Sequence, residues 1–233
     1  DYFTIYPNLY VVLVGPPGNR KSSAMATSKF LLRELKSIPF SGECISKEKL
    51  VQDMVEQERA IDGLPDTYKD KRILYVEQEK LNGTAGALWL CKELLNDAFI
   101  ILNADDIYTQ EDIAAVVAHD GWAVLADEME HMSSGGRIVT NTEGAVEEIA
   151  EGNHHGMPGL MNTNVFKLDT RVFDYPLVPK AEGSEEFGLP QTVIPASRAL
   201  GVAIDVIKAT FWFQITEPAD LTKMEALLKG GEV

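Results

Sequence analysis

The feature that most constrains this chain is an alternation along its first half, in which short apolar runs of strand character are separated by stretches with apolar residues at helical spacing. Residues 9–14, LYVVLV, are a β-rich run closed by a Gly-Pro turn signal. SAMATSKFLLRELKSI follows with helical periodicity and stops at Pro39. SKEKLVQDMVEQER opens on Ser46 as a cap and sets Leu50, Met54 and Val55 on one face. KRILYVEQ is then expected as a strand, TAGALWLCKELLND as a helix, AFIILNADD as a strand ending in an acidic pair, TQEDIAAVVAHD as a capped helix and WAVLADEM as a further strand. This β-α-α-β-α-β order predicts an α/β fold of Rossmann-like type, with a mostly parallel central sheet and helices on both faces.

From Gly135 the pattern changes. GGRIVTNTEGAVEEIAEGN reads as two short strands around the turn NTEG, a hairpin that opens a small mixed lobe. The 233 residues are expected to form a single domain, with a junction near 60–70 in the linker-like IDGLPDTYKDK and an acceptor-side lobe from about residue 135.

Charge and composition narrow the functional classes. Thirty-six acidic against 21 basic side chains give a net charge of −15, which repels a phosphate backbone and makes nucleic acid an unlikely partner. Only Cys44 and Cys91 occur, so a disulfide framework is not expected and a cytoplasmic location is. No apolar run approaches the roughly 20 residues that span a bilayer, and the start DYFTIYPNLY lacks the basic region and apolar core of a signal peptide. No membrane association is expected, and the oligomeric state is open.

Sheets of this kind bind ligands at the carboxyl ends of their strands, where loops and helix amino termini gather free N–H groups. Three segments fall at such ends: GPPGNRKSS, EQEKLNGTAGAL and LNADD. In the first, Gly18 admits the backbone close to a phosphate, Asn19 and Ser22 line the same turn, and Arg20 and Lys21 supply positive charge. The histidine pair His154 and His155 sits between glycines and reads as a solvated loop, and DEMEH at 127–131 reads as an exposed charged face. Trp89, Trp122 and Trp212 read as core residues.

From about residue 71 onward the chain resembles the sugar-phosphate nucleotidyltransferases, which join a nucleoside triphosphate to a sugar 1-phosphate and release pyrophosphate. Gln78 followed by Gly83, Thr84 and Ala85 is similar to the family's glutamine and Gly-Thr-Ala, and the resemblance makes Gln78, Gly83 and Thr84 nucleobase contacts. IILNADD puts Asp105 at the aspartate that holds magnesium, with Ala104 in place of the family's glycine. GAVEEIAEGN resembles the segment ending in Val-Glu-Lys, with Glu151 at the sugar-binding glutamate and Gly152 where the lysine is usual. MNTNVFKL resembles Asn-x-Gly-x-Tyr, with Asn162 matched as a second sugar contact. WFQITEPADL resembles Trp-x-Asp-Ile-x-Thr-Pro-x-Asp-Leu, but Gln214 stands where the second metal-binding side chain is expected.

At the amino terminus LVGPPGNR is similar to the family's Leu-x-x-Gly-x-Gly-x-Arg through Leu13, Gly18 and Arg20, with Lys29 downstream. The resemblance gives Arg20, Lys21 and Lys29 the catalytic task of neutralising the leaving pyrophosphate, with magnesium as cofactor. Residues 1–60 also resemble the P-loop opening of a phage-type helicase ATPase, with Asp127 and Glu128 as its acidic strand end. The alternatives to a transferase are thus such an ATPase or an inactive nucleotide-binding protein. Four downstream segments in nucleotidyltransferase order, QEKLNGTAGAL, LNADD, MNTNVF and ITEPADL, are unexplained by a P-loop ATPase.

Overall fold

A computed structural model describes residues 10–14, 67–68, 71–103, 106–216, 220, 222–224 and 226–227. The chain divides into two compact units, Phe30–Glu79 and the remainder. In the first, β2 (Thr67–Tyr68) pairs antiparallel with β3 (Lys71–Arg72). The expected strand KRILYVEQ is confined to its first two residues: 73–78 are irregular, and Leu74, Tyr75 and Val76 are exposed. Strand propensity does not suffice where no neighbouring edge among the described residues accepts the ladder.

The second unit is built on a five-stranded sheet in the order β1-β4-β7-β6-β8. Its strands are β1 (Tyr10–Val14), β4 (Ala98–Asn103), β6 (Trp122–Thr140), β7 (Val146–Asp169) and β8 (Ile204–Lys208). β1 runs parallel to β4 and β6 parallel to β8, whereas β7 is antiparallel to both of its neighbours. The sheet is therefore mixed rather than mostly parallel, because β7, the returning arm of a hairpin, lies between β4 and β6. Among its described residues the unit also holds helices α1 (Thr84–Leu90), α2 (Gln110–Ala118) and α3 (Leu189–Leu200) and a short strand pair, β5 (Asp106–Tyr108) and β9 (Trp212–Gln214). The apolar run continuing TAGALWL leaves the α-helix at Cys91 and forms a 3-10 turn over Lys92–Leu94.

Alternation along the strands sorts the core onto two faces. Phe99 and Ile101, Trp122, Val124 and Ala126, and Phe166 and Leu168 pack with Leu88 of α1 and Val193, Ile194 and Ala196 of α3. The intervening Ile100, Leu125 and Val165 pack with Ile113 and Val116 of α2. Helices thus cover both faces, as the sequence predicts. Trp122 is buried, and its indole N–H donates to Asp169 Oδ2 at 2.9 Å. No helix among the described residues is long and apolar enough to cross a membrane.

The hairpin expected around NTEG is present, but its strands are 19 and 24 residues long rather than short. Asn141 Oδ1 accepts the N–H groups of Glu143 and Ala145 at 2.9 and 3.0 Å, and Gly144 takes a φ of 88°, so the turn is written in the local sequence. Beyond Ala126 the ribbon curls through a series of register shifts, until Arg137 pairs with both Met161 and Ala150. His154 lies within this ribbon and not in a solvated loop: it is buried, with Nε2 2.9 Å from the Gly135 carbonyl oxygen.

Candidate active site

Strand register brings several polar groups to one end of the sheet. Val14 of β1 lies beside Asn103 of β4, and Ala126 of β6 lies beside both Lys208 of β8 and Asn162 of β7. Asn162 therefore stands by the carboxyl ends of β4 and β8, where the pairing of β6 with β8 stops at Ala126, although it belongs to the opposed strand. It is buried, and its amide is fixed by two bonds: Nδ2 donates to Asn164 Oδ1 at 2.9 Å, and Oδ1 accepts the Asn164 N–H at 3.0 Å. The turn this requires holds Asn164 at a φ of 61°, a conformation asparagine tolerates better than most residues. One N–H and one lone pair of the Asn162 amide are left over.

Glu151 is exposed and lies opposite Gly136 in the ribbon. A Cβ placed on Gly136 would stand 3.1 Å from Glu151 Oε1, 3.4 Å from Asn162 Cβ and 2.9 Å from Ile149 Cγ2. The two residues matched to sugar contacts thus both stand against Gly136, where the packing leaves no room for a side chain. Gly136 was not singled out from the sequence. The glycine pair in SSGGRIVT is its only signal, and glycine pairs are common in turns.

A second polar group forms where β5 meets β9. Asp106 lies opposite Gln214, so the residue following Asp105 faces the position matched to the second metal ligand. Asp106 is buried, and the Tyr108 hydroxyl donates to its Oδ2 at 3.1 Å while lying 3.0 Å from the Thr163 carbonyl oxygen. Magnesium selects oxygen donors and takes only one or two carboxylates from a protein. Of the two positions matched to metal ligands, Asp105 lies outside the described residues, and Gln214 offers an amide oxygen, a donor of that type.

Gly83 precedes α1 with a φ of 91°, and a Cβ on it would collide with the Phe187 carbonyl oxygen. The Gly-Thr-Ala segment is fastened to the start of α3 by Phe187 N–H to Asn82 O (2.7 Å), Ala85 N–H to Phe187 O (3.1 Å) and Leu189 N–H to Thr84 Oγ1 (2.9 Å). Thr84 Oγ1 is an acceptor in this arrangement and keeps its own proton to donate. Gln78 is half-buried in irregular backbone of the Phe30–Glu79 unit. Gly18, Asn19, Arg20, Lys21, Ser22, Lys29 and Asp105 lie outside the described residues.

Of the charged run at 127–131, Glu128 pairs with Lys208 at 2.8 Å on the surface, whereas Asp127 is half-buried. Burial, and next the charge of Asp112, push the Asp127 carboxyl above its ordinary range, and a backbone hydrogen bond only partly opposes them. A depression of about 310 Å³ lined by Lys92, Glu93, Thr170, Arg171 and Asp174 lies where β7 ends, at the other end of the sheet from Asn162.

The profile of the family described as nucleotidyl transferase matches residues 45–228. The bifunctional protein GlmU of Methanocaldococcus jannaschii is 23% identical over 204 residues, which is 82% of this chain and 48% of that protein. The protein of the same name from Methanococcus aeolicus is 24% identical over 154 residues, 64% of this chain and 36% of the relative. The chain therefore spans about half the length, or less, of these curated relatives. Among solved structures, HddC from Yersinia pseudotuberculosis superposes with a TM-score of 0.60 at 15% identity, covering 93% of this chain and 97% of that one. A putative glucose-1-phosphate thymidylyltransferase from Bacillus anthracis in complex with a sucrose gives 0.59 at 18% identity, covering 93% of each chain. The fold is thus a mixed α/β fold shared with these structures.

Proposed function

Because the chain belongs to the nucleotidyl transferase family, we propose that it joins a nucleoside triphosphate to a sugar 1-phosphate. A phosphate oxygen of the sugar 1-phosphate attacks the α-phosphorus of the triphosphate. A new P–O bond forms there, the bond to the bridging oxygen breaks, and pyrophosphate leaves with the electron pair. The observation that carries the acceptor side is that Glu151 and Asn162 both stand against Gly136: an exposed carboxylate and an amide held by Asn164 with one N–H and one lone pair to spare suit the hydroxyls of a sugar. Such a displacement needs no covalent intermediate, so the protein's contribution is positioning and charge neutralisation.

In this reading Arg20, Lys21 and Lys29 neutralise the pyrophosphate, with Gly18, Asn19 and Ser22 along the phosphates. Gln78, Gly83 and Thr84 meet the base, and the Thr84 hydroxyl, already accepting from Leu189, offers its proton to a base acceptor. Asp105, adjoining Asp106, holds magnesium together with the oxygen of Gln214. The ion, when bound, neutralises phosphate charge during the displacement.

The test is a screen of nucleoside triphosphates against sugar 1-phosphates with separate assays for pyrophosphate and orthophosphate. Pyrophosphate release that requires both substrates is expected. Orthophosphate release without a sugar phosphate would establish an ATPase, and release of neither would leave a nucleotide-binding protein without transfer activity.

A further inference from the structure

The strand pair β5–β9 has only three rungs, Asp106 with Gln214, Ile107 with Phe213 and Tyr108 with Trp212. A two-stranded pair that short holds little register by itself, so something else must fix where Gln214 stands. At the closed end of the pair lies Asp112, in the first turn of α2 and 3% exposed. Both of its carboxylate oxygens face the connection that leads into β9. Oδ1 accepts from Thr210 N at 2.9 Å and Thr210 Oγ1 at 3.0 Å, and Oδ2 accepts from Thr210 N at 3.0 Å, Thr210 Oγ1 at 3.1 Å and Phe211 N at 3.2 Å. The helix that carries Asp112 begins directly after β5, with Thr109 Oγ1 accepting the Asp112 N–H at 3.1 Å. One residue thus grips the start of β9 from the end of β5. Hydrogen bonds to an ionised acceptor are the strong kind, and they converge here on a connection rather than on the core, where Ile113 and Val116 already anchor α2.

We propose that Asp112 is a positioning residue for nucleotidyl transfer: its buried carboxylate clamps residues 210–211 and so keeps Gln214 in register opposite Asp106. The proposal rests on the reading that this end of the sheet serves the triphosphate and its cation. It predicts a local rather than a global consequence of losing the carboxylate. Asp112→Asn keeps the shape but replaces one acceptor oxygen with a donor that faces the N–H of Thr210. Thr210→Val removes the hydroxyl alone and is the milder variant.

Hydrogen exchange read by mass spectrometry separates the clamp from a structural role. In Asp112→Asn, amides of residues 212–214 should exchange about tenfold faster or more, and those of 123–126 and 165–168 at the wild-type rate; the loss of one charge-assisted bond corresponds to at least that factor. Thr210→Val should fall between. Manganese added to the protein alone and followed by electron paramagnetic resonance should bind Asp112→Asn more weakly by a similar factor. Unchanged exchange at 212–214, or equal acceleration of all amides, overturns the proposal, as does a Thr210→Val protein as fast as Asp112→Asn throughout. Exchange and manganese binding decide the clamp without any turnover, so a wild type that releases no pyrophosphate would refute the transferase reading and leave this result distinct.

Discussion

Gly136 sets the clearest expectation for a single residue. An alanine there would bring a methyl within 3.1 Å of Glu151 Oε1 and 2.9 Å of Ile149 Cγ2, close enough that the carboxylate must turn away. Overpacking of this kind costs about 1–3 kcal/mol, and if Glu151 meets the sugar, the loss appears in acceptor binding. Gly136→Ala should therefore raise KM for the sugar phosphate roughly tenfold and leave KM for the triphosphate within about twofold; steady-state kinetics with each substrate varied would check this, and an unchanged acceptor KM would remove Glu151 from the site. The reason Gly136 could not be found from sequence is physical. Its importance is a distance to Glu151 across a curled ribbon, and SSGGRIVT carries no trace of that curl. Glu151 and Asn162 are proposed from the sequence only because their neighbouring segments resemble those of the family, and Asp112 stands out there only as part of a capped helix, which says nothing of Thr210.

At the scale of elements, the joint between α1 and α3 turns on Thr84. Leu189 is buried, and its backbone N–H, which no intrahelical partner can satisfy, is met by the Thr84 hydroxyl. Thr84→Val preserves the shape and leaves that N–H unpaired, which costs about 1–3 kcal/mol. Thermal melting should show a drop of several degrees, and Thr84→Ser should recover most of it. Periodicity located the helix after Thr109, whose Ile113 and Val116 share one buried face, and the strands at 98–103 and 122–126, which are apolar on both faces. It failed for 73–78, which has strand-like residues and no described strand partner, and for the length of the hairpin, where polar and charged residues on a solvated ribbon hide the alternation.

For the molecule as a whole, two carboxylates make opposite contributions to stability as pH changes. Burial and the charge of Asp112 raise Asp127, so its share of stability is complete while it is protonated and is lost as pH rises through its raised pKa. Burial also acts to raise Asp169, but hydrogen bonds from Arg171 and Trp122 outweigh it and the carboxyl titrates below its ordinary 3.8; its share is present above that value and is lost as pH falls. Melting curves between pH 3 and 8 should thus show Asp127→Asn gaining on the wild type toward neutral pH, and Asp169→Asn losing most there and converging with it in acid; a neutral-pH loss in Asp127→Asn would contradict the assignment. The place of β7 between β4 and β6 has a consequence for biosynthesis. The ribosome delivers residues 98–103 and 122–126 first, yet the edges they turn toward each other are filled by residues 161–169, which are made later. A nascent chain that has reached the hairpin turn displays two apolar strands with open edges and no segment of its own to close them. Aggregation during translation is therefore expected to concentrate in the interval between the turn and Asp169, and slower elongation through it should lower the yield of native sheet.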